Sequence, residues 1–217
     1  MVTALIASIP DREKALEKTV ESLRHQVDQV CVTLNDYDHV PEFLFDCKTI
    51  ILDNSMGDAG KFYFAEKCEG YLLTCDDDLI YPSGYVDKMI KGLEKHPGCV
   101  VTLHGRVYSR PVVGFQQAFR GYPCLGDVMV DVPVDVGGDG CACWNSDTLK
   151  VRFSDFLQKN MSQLYFSKLC KEQNVPIICL AHREGYLKYM PPKETIWDQS
   201  FREGFVKQTA LLKTFLE

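Results

Sequence analysis

The chain has 217 residues, 46% hydrophobic and 25% charged, which suits one compact domain with a sizeable core and leaves little room for a second. Its net charge of −6 argues against indiscriminate nucleic-acid binding, because an acidic surface gains little from counterion release. No apolar stretch is long enough to span a bilayer. The apolar start, Met1 to Ala7, lacks the basic leader and cleavage site of a signal peptide and reads as a buried strand.

In chain order, Thr3 to Ile9 is that first apolar run. Pro10 and Asp11 then open a segment with Leu16, Val20, Leu23 and Val27 at helical spacing, and proline with Glu13 in the first turn is ordinary helix-start chemistry. Gln29 to Leu34 reads as a strand ended by Asn35-Asp36, and Thr49 to Leu52 as one ended by Asp53-Asn54. Gly70 to Cys75 follows, ended by Asp76-Asp77-Asp78. Each strand thus finishes in carboxylates or amides, at the end where open α/β sheets place their ligands.

A helix is expected over about Ser83 to Lys95, with Tyr85, Met89 and Leu93 on one face, stopping near Pro97-Gly98, and Cys99 to Leu103 forms another strand. Residues 104–140 are rich in Gly, Pro, Arg and Tyr, with β-like pieces over Val128 to Val136. The turn Gly137 to Gly140 leads into Cys141-Ala142-Cys143-Trp144. A helix over Met161 to Gln173 and a strand over Pro176 to Leu180 complete an α/β pattern with a loop-rich second half.

Ten cysteines lie mostly in apolar strand-like runs, such as Cys31, Cys75, Cys99 and Cys179. Free cysteine behaves there as a small hydrophobe, which favours a reducing, cytoplasmic location over a disulfide scaffold. Cys141 and Cys143 have no second pair at zinc spacing.

Asp76-Asp77-Asp78 is the sharpest chemical signal. On an extended backbone Asp76 and Asp78 share a side and Asp77 faces away. Two carboxylates about 4 Å apart repel by roughly 4 kcal/mol at an effective dielectric near 20, a cost that Mg²⁺ or Mn²⁺ cancels while leaving sites for phosphate oxygens. The alternative is a solvated acidic turn capping the next helix. Gly57-Asp58-Ala59-Gly60-Lys61 is a Gly-bearing loop whose flexible backbone and one lysine can approach a diphosphate; it lacks Walker spacing. A surface turn with a solvated lysine is the plainer reading.

Two segments carry a resemblance. Ala4 to Arg12 resembles the opening strand and loop of family 2-like glycosyltransferases with the GT-A fold, and Gly70 to Pro82 resembles their Asp-x-Asp segment. The likeness covers about the first 105 residues. It implies a single GT-A (Rossmann-like) domain over 1–217, with a mixed central sheet flanked by helices. Residues 1–105 would form the nucleotide-sugar half and 106–217 the acceptor half.

It also implies roles. Ser8, Ile9 and Pro10 place backbone against the base, with Arg12 close by. Asp53 contacts the base, Asp76 the ribose and Lys61 the nucleotide. Asp78, helped by Asp77, holds the Mn²⁺ or Mg²⁺ that bridges the diphosphate. His182, ending the last strand, resembles the late histidine that completes the metal site in some GT-A enzymes; a hydrogen-bonded structural residue is the alternative.

Asp139 is the first choice for a general base, as a loop carboxylate facing the acceptor, although a structural Asp in a Gly turn is as common. Trp144 reads either as a platform for an acceptor sugar ring or as core. Many family 2-like enzymes carry an acidic base at the start of a late helix, where Lys159 to Leu164 here offers Gln163. Either Asp139 or Asp155 serves instead, or the transfer is retaining.

The leading expectation is transfer of a sugar from a nucleoside diphosphate sugar, UDP-sugar favoured, to an acceptor hydroxyl on a saccharide or glycoconjugate. A glycosyltransferase acting on modified nucleobases in DNA is an alternative if Arg106, Arg110, Arg120 and Lys150 cluster. A non-catalytic nucleotide or carbohydrate binding module is the other. A sugar-nucleotide pyrophosphorylase is disfavoured because Ser8 to Asp11 contains no glycine. The run Ile196 to Phe201 is expected to pack on the core rather than to act as a lid.

Overall fold

The computed structural model describes residues 1–217. Its first half alternates β1 (Val2–Ser8), α1 (Glu13–Leu23), β2 (Gln29–Asn35), β3 (Lys48–Leu52), β4 (Tyr71–Asp76), β5 (Leu79–Ile80), α2 (Tyr85–Lys95) and β6 (Val100–Thr102). The second half carries β7 (Gly105–Tyr108), β8 (Phe119–Tyr122), β9 (Val132–Val134), β10 (Val136–Gly137) and β11 (Cys141–Asn145). After these come α3 (Ser162–Glu172), β12 (Ile177–Cys179), β13 (Lys188–Tyr189), α4 (Ile196–Arg202) and α5 (Val206–Leu216).

Eight strands form a mixed sheet in the order β3-β2-β1-β4-β11-β6-β12-β9. β3, β2, β1 and β4 are parallel neighbours, as are β6 and β12. β11 runs antiparallel between β4 and β6, and β9 is antiparallel to β12. Strands from both sides of residue 105 therefore interleave in one sheet. β10-β7-β8 and β13-β5 make two small sheets beside it.

The central strands are apolar almost throughout because both faces of the sheet are covered. Successive residues point to opposite faces. Ala4 and Ile6, Val30 and Val32, and Leu73 and Cys75 pack with Leu16, Val20, Met89 and Leu93 of α1 and α2. Leu5, Cys31, Leu72 and Ala142 pack with Phe62, with Leu164 and Phe166 of α3, and with Leu212 of α5. The chain is thus α/β, with a large mixed sheet flanked by helices. No helix is long and apolar enough to cross a membrane, and all ten cysteines are unpaired thiols.

At four local points the structure decides between the expectations or adds to them. The segment after the glycine turn, to which the residue pattern assigns no element, is the central strand β11. Trp144 within it is fully buried against Phe62 and Phe166, so it is core and offers no platform for a sugar. Of Val128 to Val136, only Val132–Val134 joins the large sheet. Ile196 to Phe201 forms α4, whose Trp197 and Phe201 stack on each other and against the buried Phe205 while staying 48% and 62% exposed.

Candidate active site

Strand ends and turns converge on one cavity of about 720 Å³. It opens where β1, β2 and β4 end and β11 begins, so Ser8, Asn35, Asp76 and Asp139 meet there although far apart in sequence. The parallel strands end together, which leaves backbone groups and side chains directed into one crevice.

The Asp76–Asp78 segment is held from several directions. Tyr81 donates its hydroxyl to the Gly140 carbonyl at 2.5 Å, and the Asp76 amide lies 2.8 Å from the same hydroxyl oxygen. Thr19 donates to the Leu79 carbonyl at 2.8 Å, and the Met190 amide donates to the Asp78 carbonyl at 2.8 Å. A Cβ on Gly140 would lie 1.9 Å from Asp76 Oδ2. Only glycine there lets the strand pass beneath that carboxylate.

β4 ends at Asp76, so strict alternation stops and Asp77 and Asp78 form a turn. All three carboxylates therefore line the cavity. This corrects the expectation that Asp77 faces away. Asp77 accepts from Ser8 Oγ at 2.6 Å and from Arg12 Nη1 at 2.9 Å, and Arg12 also reaches Asp78 Oδ2 at 3.2 Å. Burial raises the Asp77 carboxyl, with Arg12 and Ser8 pulling the other way. Asp78 is pushed up to about 7 by burial, then by its neighbours Asp76 and Asp77.

Lys61 is only 4% exposed. The solvated surface lysine of the plainer reading is replaced by a buried, ion-paired one that lines the cavity, with Asp76 Oδ1 at 2.5 Å and Asp139 Oδ2 at 3.7 Å. Burial disfavours its charge, but Asp139, Asp76 and Asp58 outweigh that and raise its pKa. Asp139 is buried in the cavity wall, not free on a loop, and bonds to the Ser162 hydroxyl. Burial raises its carboxyl against the pull of Lys61.

Five carboxylates (Asp58, Asp76, Asp77, Asp78, Asp139) and two cations (Arg12, Lys61) thus share this end of the cavity. That excess of negative charge and hard oxygen donors fits Mn²⁺ or Mg²⁺ held by one or two carboxylates, with ligand oxygens and water completing the shell. No group of three or more His, Cys, Asp or Glu side chains converges as a preformed cage. Asp78, whose Oδ1 has no side-chain partner, is the residue best placed to take the ion, with Asp76 beside it.

Of the other expected residues, Ile9 lines the cavity and accepts at its carbonyl from the Tyr37 hydroxyl at 3.1 Å. Pro10 opens the turn behind it, outside the lining. Asp53 is also outside, exposed and accepting from the Ser55 amide at 3.1 Å, while Asn54 lines the cavity instead. His182 is not brought to the aspartates: its Nδ1 lies 2.8 Å from the Leu180 carbonyl and its Nε2 3.2 Å from that of Pro123. Asp155 is tied to Arg152 beyond the cavity.

The basic residues weighed for a DNA acceptor each have a partner. Arg110 pairs with Asp135 and Lys150 with Asp147, Arg106 lies over Phe115 and Phe119, and Arg120 lies over Tyr122. Sequence reasoning missed Asp58 and Ser162, which meet across the fold, and the α4 wall formed by Trp197, Gln199 and Ser200. The Thr195-x-x-Asp198 pattern was a legible start signal for α4. It also missed Cys124, whose thiol is lowered to about 5 by a hydrogen bond from Cys141 and by His104.

No protein-family model matches the chain, and no curated protein matches it in sequence. The functional reading therefore rests on the residues and their geometry.

Proposed function

We propose that this chain is a metal-dependent glycosyltransferase of the GT-A architecture, similar to family 2-like enzymes. It moves a sugar from a nucleoside diphosphate sugar, UDP-sugar favoured, to an acceptor hydroxyl. The observation that carries the reading is the convergence of Ser8, Arg12, Lys61, Asp76 to Asp78 and Asp139 on one cavity at the carboxyl ends of the parallel strands. A nucleotide-sized ligand fits a cavity of that volume.

The backbone at Ser8 and Ile9 borders the donor's base, and Asp76, the most exposed of the three aspartates, meets the ribose. Asp78 would hold the cation, which would stabilise charge on the departing diphosphate. Arg12 fixes Asp77 and Asp78 and adds positive charge at that end. Asp139 accepts the proton of the acceptor hydroxyl as its oxygen bonds the anomeric carbon. The electron pair of the broken bond leaves with the diphosphate. A reducing compartment, the cytoplasm, belongs to the same reading, and the ten unpaired cysteines support it.

A panel of nucleoside diphosphate sugars, assayed for hydrolysis and transfer with and without Mn²⁺, tests the proposal. One donor should turn over and should need the metal. Metal-dependent binding with no turnover of any donor would leave a non-catalytic nucleotide-binding module, and neither binding nor turnover would end the reading.

A further inference from the structure

The Ser162 hydroxyl sits between two carboxylates. It lies 2.5 Å from Asp58 Oδ2 and is also in hydrogen-bond contact with Asp139 Oδ2. A serine hydroxyl has one hydrogen and donates to one of them. The second contact, between two oxygens at hydrogen-bond distance, needs a hydrogen of its own, and a carboxylic acid is the only source between these groups. Were both carboxylates ionised, one would press against the lone pairs of Ser162, whose side chain is fully buried between them.

We propose that Asp58, Ser162 and Asp139 form a relay that holds one shared proton, with Asp58 acting through Ser162 as a positioning residue for Asp139. The direction of the relay follows from the charges around it. Asp139 Oδ2 faces the Lys61 ammonium at 3.7 Å, which favours its ionised form. Asp58 has the Ser162 amide at 3.4 Å and the Asn160 side chain near its own amide, and Lys61 lies one turn along the same segment. The proton therefore resides on Asp58 and points to Ser162 Oγ, and the serine hydrogen points to Asp139.

This arrangement orders the site. Asp139 Oδ2 is occupied by Ser162 and Lys61, which leaves Oδ1 as the oxygen with no side-chain partner, free to receive an acceptor proton. The shared proton also removes one negative charge from the group of Asp58, Asp76 and Asp139, which has a single buried lysine among them. Burial and Asp139 together place the Asp58 carboxyl at about 7, in the same sense. The role given to Asp139 rests on the glycosyltransferase reading; the shared proton does not.

Carboxyl ¹³C shifts of Asp58 and Asp139, assigned by comparison with Asp58→Asn and Asp139→Asn, test the proton in the free protein. One of the two should remain protonated at about pH 6, where an ordinary aspartate with a pKa of about 3.9 is ionised. Two ionised carboxylates at that pH would overturn the relay. In the enzyme, Asp58→Asn still donates to Ser162 and should keep kcat within about threefold while flattening its pH dependence near neutrality. Ser162→Ala and Asp58→Ala should each lower kcat by about tenfold or more, with the donor KM unchanged. Impairment by Asp58→Asn as deep as that by Asp58→Ala would refute positioning by a donated hydrogen. If no donor turns over, the kinetic arm fails with the glycosyltransferase reading, and the carboxyl shifts still decide the relay.

Discussion

Asp78 and Lys61 show at the level of single residues how charge is held in this cavity. Asp78 is buried, its carboxyl is raised to about 7, and Arg12 and then Lys61 offset that rise only in part. Asp78→Asn removes the charge with little change in shape. It should abolish metal-dependent donor turnover while circular dichroism and melting temperature stay near those of the parent; unchanged turnover would separate Asp78 from the metal. Lys61→Met tests the opposite charge. It leaves Asp76 and Asp139 without their cation, a loss of about 3–5 kcal/mol for a broken buried pair. Denaturant unfolding above neutrality should report that loss, with a smaller effect in acid, where the aspartates take up protons.

What could be read at this scale was whatever lay within a few residues. Three aspartates after the apolar run Tyr71 to Cys75 marked the carboxyl end of a strand correctly, where β4 stops at Asp76. The Asp58–Ser162 contact joins residues 104 positions apart, and no local pattern announces it. Trp144 was left between two readings for another reason. A tryptophan beside a glycine turn suits a binding loop or a core equally well, and only the register of β11 against β4, with Trp144 opposite Leu72, decides for the core.

Elements were legible where the period was clear. α1, α2 and α3 fall within a few residues of their expected ranges because their apolar positions recur at helical spacing. β11 was missed because it is a short run that follows three glycines among residues 137–140, and its antiparallel insertion between β4 and β6 is a long-range choice. α4 was misread as core packing because Ile196, Trp197 and Phe201 are apolar. Yet the helix sits at the mouth of the cavity, with Trp197 in its wall and Phe201 largely in solvent.

A reciprocal cap starts α4: the Asp198 amide donates to Thr195 Oγ1 at 3.0 Å and the Thr195 amide to Asp198 Oδ2 at 2.9 Å. Loss of such a cap costs about 1 kcal/mol. Thr195→Ala should therefore speed hydrogen exchange of the α4 amides about fivefold without changing exchange in β1 or β4. Equal acceleration everywhere would mean that α4 does not open independently of the sheet.

For the molecule as a whole, the buried acidic group links pH to stability. The Asp58 carboxyl stands near 7 when folded, against about 3.9 when unfolded. Between those values the folded state binds more protons than the unfolded state, so its stability falls as pH rises. The contribution is fully present below about 4 and is lost through about 7. Asp131 works in the other sense: backbone and side-chain hydrogen bonds from Ala181, His96 and Lys95 outweigh burial and hold its carboxyl down, so its contribution is lost only in strong acid. Thermal melts should therefore decline from about pH 5 toward pH 8. Asp58→Asn, which cannot ionise, should flatten much of that decline; an unaltered slope would assign it to other groups.

The α/β class and the flanking helices were legible from alternating apolar periods, whereas the order of the eight strands was not, since it depends on which strand pairs with which. The account stands on a divalent ion at Asp78 linking the cavity to a diphosphate. A crystal soaked with UDP and Mn²⁺, measured for anomalous scattering, tests this most directly. The account predicts a manganese peak bound by the Asp78 carboxylate and by oxygens of both phosphates, with the base against Ser8 and Ile9. A nucleotide bound elsewhere, or no manganese beside Asp78 while Arg12 keeps its hold on the aspartates, would contradict it.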